Sequence, residues 1–342
     1  MSISALHTIV ETHDISAPEV REAFELLMTG QMSEPEIAAL LVALRMMCER
    51  AEHISAVATV MRSLMVPVHI EASNAVDIVG TGGDGASLFN VSTASALVAA
   101  AAGVIVAKHG SRGVSSSSGA ADVLEAAGVN LDLPPEQLAR LIDECGIGFM
   151  FAINHHSAMK YAAPARKALG MRTIFNLLGP LTNPASVKRQ VVGVYHRDWV
   201  RPVAEALKEL GAVHAIVVSS HDQLDEISLA APTDVAELRN GSISEYTIVP
   251  EDFGITRADD LSDLAVDGAK NSLVLLKAAI SGENEKASDM VALNAGAAIY
   301  VSGEAMSLKE GVAIAQDVIS TGLAKSKLAE LAQMSKMMGE NA

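Results

Sequence analysis

Apolar positions along this chain follow two rhythms. Over the first 68 residues they recur at helical spacing, as at Ile37, Leu40, Leu41 and Leu44 within Glu36–Met47, which paints one face of an α-helix. Start signals frame these helices. Ser16 precedes Pro18 and Glu19, and Ser33 precedes Pro35 and Glu36, each pairing a hydroxyl cap with a carboxylate three residues on. Short continuous apolar runs then take over at Val76–Val79, Val104–Ala107, Val191–Tyr195 and Ala215–Val218. Their length and composition suit parallel strands buried on both faces. Helical segments separate them, an apolar one at Ala94–Ala102 and one from about Arg201 to Leu210. The pattern predicts an α/β fold with a mainly parallel central sheet and a smaller all-helical domain. Residues 1–68, joined by about 158–188, form the helical part, and the rest of 69–342 forms the α/β part. A final α/β section is expected from Pro250–Gly254 onward, with Leu308–Ile319 and Leu323–Met338 as helices covering the sheet.

Each of the first two strands runs straight into a loop of small and hydroxyl-bearing residues. Gly80-Thr81-Gly82-Gly83-Asp84-Gly85 follows one strand, and Lys108-His109-Gly110-Ser111-Arg112 with Ser115–Ser118 follows the other. Glycine-rich turns and helix N-termini present backbone N–H groups to anions, and loops at the carboxyl ends of parallel strands are where open α/β sheets bind ligands. The stretch therefore reads as a polyphosphate site. The first loop also matches GxGxxG, the dinucleotide fingerprint. Two features argue against that reading. The next strand ends in Lys108-His109 rather than in an acid for a ribose, and Ser87–Asn90 intervene before the helix whose cap is Asn90, Ser92 or Thr93. Asp84 beside a pyrophosphate calls for a sugar hydroxyl or a cation between them.

Composition narrows the classes. Half of the 342 residues are hydrophobic and only 3% aromatic, so Ala, Val, Leu, Ile and Met build the core, and Met46, Met47, Met61 and Met65 read as core filler. A net charge of −16 opposes general nucleic-acid binding. Local positive charge is still present at Lys108, His109 and Arg112, and at Lys160, Arg166, Lys167 and Arg172. The N-terminus lacks the basic and apolar regions of a signal peptide, and no apolar run is long enough to span a bilayer. A cytoplasmic protein is expected, with its two cysteines, Cys48 and Cys145, as buried thiols in a reducing compartment. His155-His156 invites a metal, but adjacent histidines diverge and no third ligand follows at a familiar spacing; packing or capping is the expectation. Arg166 suits a carboxylate, which a guanidinium grips bidentately. Asp225-Glu226, just after the strand ending near Ser219, suits Mg²⁺, which takes one or two carboxylates together with water and phosphate oxygens.

Taken jointly, the segments resemble the anthranilate phosphoribosyltransferases. Those that carry the resemblance are GTGGD from Gly80, NVST from Asn90, KHGxR from Lys108, SGxADVLEAxG from Ser118, Phe151-Ala152 with His155-His156, Arg172–Pro184, and Leu224–Ser228. No single motif is decisive; their order is, and it covers nearly the whole chain. The resemblance implies the fold of the nucleoside phosphorylase and phosphoribosyltransferase class and an active site in the hinge between its two parts. It implies transfer of a phosphoribosyl group from phosphoribosyl pyrophosphate to anthranilate, in tryptophan biosynthesis. Phosphoribosyl pyrophosphate contacts are implied at Gly80, Gly83, Asp84, Asn90, Val91, Ser92, Thr93, Lys108, His109, Gly110, Ser111, Arg112, Ser115, Ser116 and Ala120. Anthranilate contacts are implied at Gly80, His109, Ser111 and Arg166, and Mg²⁺ contacts at Ser92, Asp225 and Glu226. A homodimer through the helical part, with no membrane or nucleic-acid partner, is implied as well.

Two positions depart from the family pattern. Ser111 stands where Asn is usual and Ala120 where Ser is usual, each shortening or deleting a polar contact worth about 0.5–1.5 kcal/mol. A different aromatic amine acceptor is thereby left open. No Ser-His-Asp or Cys-His set is evident, and no residue is expected to act as general acid or base. A pyrimidine nucleoside phosphorylase is the nearest enzymatic rival, and a non-catalytic relative binding nucleotides or nucleic acid is the rival of another class.

Overall fold

A computed structural model describes residues 2–113 and 118–340. Seven strands form one sheet: β1 (Val76–Gly80), β2 (Val106–Gly110), β3 (Ile147–Phe151), β4 (Arg189–Gly193), β5 (His214–Ser220), β6 (Thr233–Arg239) and β7 (Ser242–Ile248). Their order is β3-β2-β1-β4-β5-β6-β7, parallel from β3 to β5 and antiparallel beyond. The chain winds outward from β1 in both directions. A topological switch point therefore lies at the carboxyl ends of β1 and β4.

Alternation along the central strands feeds two separate cores. Ile78, Val191, Ile216, Val218 and Val235 face the helices Val91–Ala101 and Glu285–Ser302. Val79, Val192, Val217, Ala236 and Leu238 face the helix Val200–Glu209 and, beyond it, the N-terminal helices. The mainly parallel sheet and the helical N-terminus are as the sequence predicts, with strand ends moved by about two residues.

The N-terminal helices begin where the cap signals stand, at Ala17–Met28 and Glu34–Met46, followed by Ala51–Leu64. Ser16 Oγ accepts the Glu19 N–H while Glu19 takes the Ser16 N–H at 3.0 Å; such a cap is worth about 1 kcal/mol. Ile54, Val57 and Phe24 of these helices share a core with Ala165, Ile174, Leu177 and Leu178, from the segment between β3 and β4.

Two expectations need correction, and two further features were not foreseen. The segment from Pro250 onward adds no strand among the described residues; it is helical, its helix Glu285–Ser302 packs on the sheet, and the helices Leu308–Thr321 and Leu323–Glu340 pack mainly on other helices rather than cover the strands. The antiparallel β6–β7 hairpin was missed, although Asn240-Gly241 joins Arg239 to Ser242 with both residues at positive φ (52° and 76°), the type I′ turn that Asn-Gly favours. Between β3 and β4 the chain forms a 3₁₀ turn, Ser157–Tyr161, and then a helix, Ala163–Leu169. Pro164 has no N–H to continue the first into the second and fits a helix's first turn. Cys145 is buried but Cys48 is exposed, on a left-handed turn residue (φ 59°) between two helices.

Glu237 of β6 anchors the antiparallel edge. Tyr246 Oη and Tyr300 Oη each donate to its carboxylate at 2.8 Å, and His214 Nε2 lies 3.0 Å away. Burial pushes its pKa up, but the bonds from His214, Tyr300 and Tyr246 win and hold it at about 2. A carboxylate so depressed stabilises the fold above its ordinary value near 4.5 and loses that contribution as pH falls toward 2. Glu237→Gln should therefore cost roughly 2–3 kcal/mol at pH 7. The gap to wild type should narrow steadily below pH 4.5 in urea unfolding; a gap constant between pH 7 and 3 contradicts the assignment.

Candidate active site

Gly80 ends β1, Gly193 ends β4, and the two are paired in register. A Cβ on Gly80 would collide with the Asp225 carboxylate, and one on Gly193 with the Asp225 carbonyl oxygen. The turn after β5 thus lies directly across two strand ends that only glycine leaves open. The turn is internally tied. Ser220 Oγ bonds Asp222 and accepts the Leu224 N–H (3.0 Å), Ser228 Oγ donates to Asp222 (2.6 Å), and Gln223 takes a positive φ of 69°. Asn294, on the helix Glu285–Ser302, clasps Ile227 through its N–H and C=O, both at 2.9 Å. No role for Asp222, Ser228 or Asn294 was read from the sequence. Their service is to hold the turn, and nothing in their spacing announces it.

The acids of this turn are crowded. Asp225 is buried and accepts the Gly82 N–H at 2.6 Å. Burial, and then the negative charge of Asp84, push it up to about 6. Glu226 accepts the backbone N–H of Ser92 and is pushed well above the usual carboxylate range by burial, Asp225 and Asp84. Lys108 faces them. Its ammonium donates to Ile78 O (2.6 Å) and Ser92 Oγ (3.3 Å), and burial lowers its pKa to about 8 against the pull of Asp77, Glu226 and Asp225. Among the described residues no three His, Cys, Asp or Glu side chains gather closely enough to cage a metal. A cation here needs further oxygens from outside the protein.

Asp77, within β1, was also missed, although an acid inside an apolar strand beside a glycine loop is a signal in itself. It is fully buried and accepts the His109 N–H (3.1 Å) and Asn183 Nδ2–H (2.8 Å). Beyond the Val76–Val106 pair, β1 and β2 are linked by these side-chain bonds and by Lys108. Burial raises Asp77 to about 6, with Lys108, Asn183 and the His109 N–H opposing.

Val91 and Ser92 open the helix Val91–Ala101, whose N-cap Asn90 gives it no side-chain bond. This corrects the expectation of a capping side chain, because Asn90 Oδ1 instead accepts from Ser118 Oγ (3.1 Å) and Ser272 Oγ (2.7 Å). Thr93 is buried, its hydroxyl unpaired beside a void of about 10 Å³, room for about one water. Gly83 accepts from Arg172, whose guanidinium stacks 4.2 Å from the Tyr195 ring centroid. Arg112 is committed to Asp122 (2.9 Å) and Glu125 (2.8 Å), Ser111 Oγ folds back onto Arg112 O (3.0 Å), and Ala120 opens the helix Ala120–Ala126. Ser115 and Ser116 lie outside the described residues.

A second cluster lies along Phe175–Gly179. His109 Nδ1 is 3.1 Å from Gly179 O and so carries the proton, which leaves Nε2 as a buried, unpaired acceptor. Burial, and then neighbouring His156, push His109 down to about 3. His156, 5.1 Å away between ring centroids, is pushed down to about 4, first by burial. His155 Nδ1 meets Val66 O at 2.8 Å. Both residues of the His155-His156 pair are buried, as the packing expectation has it. The Arg166 guanidinium sits 5.2 Å from the Phe175 ring centroid, and no acidic partner reaches it among the described residues. The geometry thus sets an acidic, amide-rich centre at the switch point and an unpaired, half-buried guanidinium on the helical side.

Known proteins match the chain along its length. A glycosyl transferase family helical bundle domain matches residues 3–65, and a glycosyl transferase family a/b domain matches residues 72–325. The anthranilate phosphoribosyltransferase of Marinomonas sp. (strain MWYL1) is 56% identical over 334 residues, 97% of this chain and 96% of that one. The Azotobacter vinelandii protein of the same name is 53% identical, covering 96% of each. The crystal structure of anthranilate phosphoribosyltransferase from Thermus thermophilus is 43% identical, with a TM-score of 0.91 over 97% of this chain and 99% of that one. The Saccharomyces cerevisiae enzyme in complex with PRPP and Mg is 26% identical, with a TM-score of 0.89 over 98% of both chains. Identity above one half along nearly the whole length, with both domains matched in order, shows that this chain belongs to the anthranilate phosphoribosyltransferase family.

Proposed function

We infer that the protein transfers the phosphoribosyl group of phosphoribosyl pyrophosphate to the amine of anthranilate, giving N-(5-phosphoribosyl)anthranilate and pyrophosphate. The observation that carries this reading is the Asp225-Glu226 turn lying on Gly80 and Gly193 beside Asp84, Ser92 and Lys108. In this reading the remaining backbone N–H groups of the Gly80–Gly85 loop and of the helix start at Val91, which Asn90 leaves without a side-chain cap, hold phosphate oxygens. Lys108 supplies buried positive charge, and Asp84 faces the sugar hydroxyls. Gly83, Asn90, Gly110, Ser111 and Arg112 belong to the same loops and strand ends, Thr93 and Ala120 to the first turns of the helices that follow them, and Ser115 and Ser116 fall between Arg112 and Ala120 in sequence.

The acids fit a divalent cation, since Asp84, Asp225 and Glu226 crowd together with only Lys108 to offset them. Asp225, Glu226 and Ser92 would hold Mg²⁺, which when bound offsets charge on the leaving pyrophosphate. The chain's own contribution is electrostatic and positional. Loop amides face the oxygens where negative charge develops, and Arg166 holds the carboxylate of anthranilate so that its amine meets C1 of the sugar. His109, neutral and with Nε2 unpaired, offers an acceptor on the aromatic side, and no residue is assigned as general acid or base. A cytosolic location fits the two unbridged cysteines. Pairing of two copies through the helical part fits exposed Val10 and Met46 (70% and 81%). A second reading, transfer to another aromatic amine, is favoured by Ser111, whose hydroxyl turns back to the backbone.

Three measurements test these assignments. Mixing the protein with phosphoribosyl pyrophosphate, Mg²⁺ and anthranilate should quench anthranilate fluorescence, and EDTA should stop the quenching. Loss of signal without the sugar would defeat the reading, and no loss despite sugar binding would favour the other acceptor. Arg166→Ala should raise the KM for anthranilate by on the order of tenfold or more, about 1.4 kcal/mol per tenfold, and leave that for the sugar within about twofold; equal effects on both would remove its assigned role. Asp225→Asn keeps an acceptor for Gly82 N–H and removes one crowded charge. The metal-free variant should melt roughly 2–5 °C above metal-free wild type and should lose the stabilisation that wild type gains from Mg²⁺. An unchanged response to Mg²⁺ would count against Asp225 as a ligand.

A further inference from the structure

The amino end of the sheet, away from the candidate active site, carries a cleft of about 200 Å³. Its rim is set by strand register. Arg189 opens β4 and pairs with His214 at the start of β5, which pairs with Arg239 at the end of β6. Directly paired residues project from the same face of a sheet, so Arg189, His214 and Arg239 form one transverse row. Adjacent strands lie about 4.8 Å apart, which puts the two arginine backbones roughly 10 Å from each other. Tyr300 lies under the row, edge-on to the His214 ring at 4.9 Å between centroids. Val213 and Met306 supply an apolar margin.

Neither arginine is neutralised. Arg189 Nη1 donates to the carbonyl of Val301 (2.7 Å), and Arg239 Nη1 to Tyr300 Oη (2.8 Å). Among the described residues no acidic side chain reaches either guanidinium. Glu237, on the same strand as Arg239, is engaged by His214, Tyr300 and Tyr246. Each guanidinium has five N–H donors, so most remain uncommitted on both. Two unpaired arginines facing one cleft stand out in a chain of net charge −16, where carboxylates are abundant enough to satisfy them. The volume lies below the range of about 300–1,000 Å³ usual for drug-sized ligands.

We propose that this cleft is a binding site for a small organic anion. Arg189 and Arg239 take its carboxylate or phosphate, and Val213, Tyr300 and Met306 take its apolar body. The site lies one strand length from the acidic turn, about 20 Å over the seven residues of β5, and shares no residue with it.

The test is calorimetric titration of the full-length protein with phenyl phosphate and with benzoate, benzyl alcohol serving as the uncharged control. Phosphoribosyl pyrophosphate and Mg²⁺ are present in excess to fill the phosphate side of the candidate active site, and the Arg166→Ala variant reads any binding on its aromatic side. Binding of at least one anion is expected, and none of the alcohol. Arg239→Gln and Arg189→Gln should each weaken it at least tenfold, Arg239→Lys by less, and Arg166→Ala not at all. Thermal melting of each variant checks that it is folded. Absence of heat with both anions, binding that survives both glutamine substitutions, or binding lost in Arg166→Ala overturns the site. The Arg166 variant separates this outcome from failure of the phosphoribosyl transfer reading, because that reading predicts no effect of Arg239 on the KM for either substrate.

Discussion

The close approach of the Asp225 turn to the ends of β1 and β4 is the constraint on which the rest of the site depends. Two paired glycines, Gly80 and Gly193, leave the space; a methyl group on either would lift the turn off the sheet. Once the turn lies flat, Asp225 meets the Gly82 N–H and Glu226 meets the N–H of Ser92 at a helix start. Both acids then feel the negative charge of Asp84. Helix dipole and backbone amides offset part of that charge, and Lys108 offsets more. The remainder is uncompensated negative charge, which a cation would offset.

The same crowding explains why so much structure is spent behind the site. A turn that carries buried like charges must be held from the far side, and Asp222, Ser228, Ser220 and Asn294 do this through short polar contacts. Asp77 performs the equivalent task between β1 and β2, joining strands whose backbones share few partners. Buried polar networks of this kind fix one arrangement when every member is satisfied. Here the exceptions are informative, since His109 Nε2 and the Arg166 guanidinium are left without polar or acidic partners toward the helical part.

Much of this was legible in the sequence, for reasons that are local. Strand, glycine loop and capped helix leave signatures within ten residues, so β1, β2, β4 and β5, the caps at Ser16 and Ser33, and the acidic pair Asp225-Glu226 could all be read. What could not be read depends on distant partners. Asn90 looks like a cap until Ser118 and Ser272 claim its side chain. Asn294 sits in an apolar helix with no hint that it grips Ile227, 67 positions away. The β6–β7 hairpin is a different kind of miss, because Asn240-Gly241 announced it locally.

The helical part and the sheet are less separate than their sequence patterns suggest. Val79, Val192 and Val217 of the sheet lie in one continuous core with Ile54, Val57, Leu177 and Leu178. Arg166 and Phe175 belong to the segment that packs into this core, whereas His109, which reaches Gly179 of the same segment, belongs to β2. Close-packed interiors transmit displacement rather than absorb it. Any relative movement of the two parts about the site must therefore be taken up where packing is thin. Arg172 spans that interval, joining the segment after Arg166 to the Gly83 carbonyl and the Tyr195 ring. These contacts tie the glycine loop to the helical side through one arginine, whereas Gly82 ties the same loop to the acidic turn through Asp225.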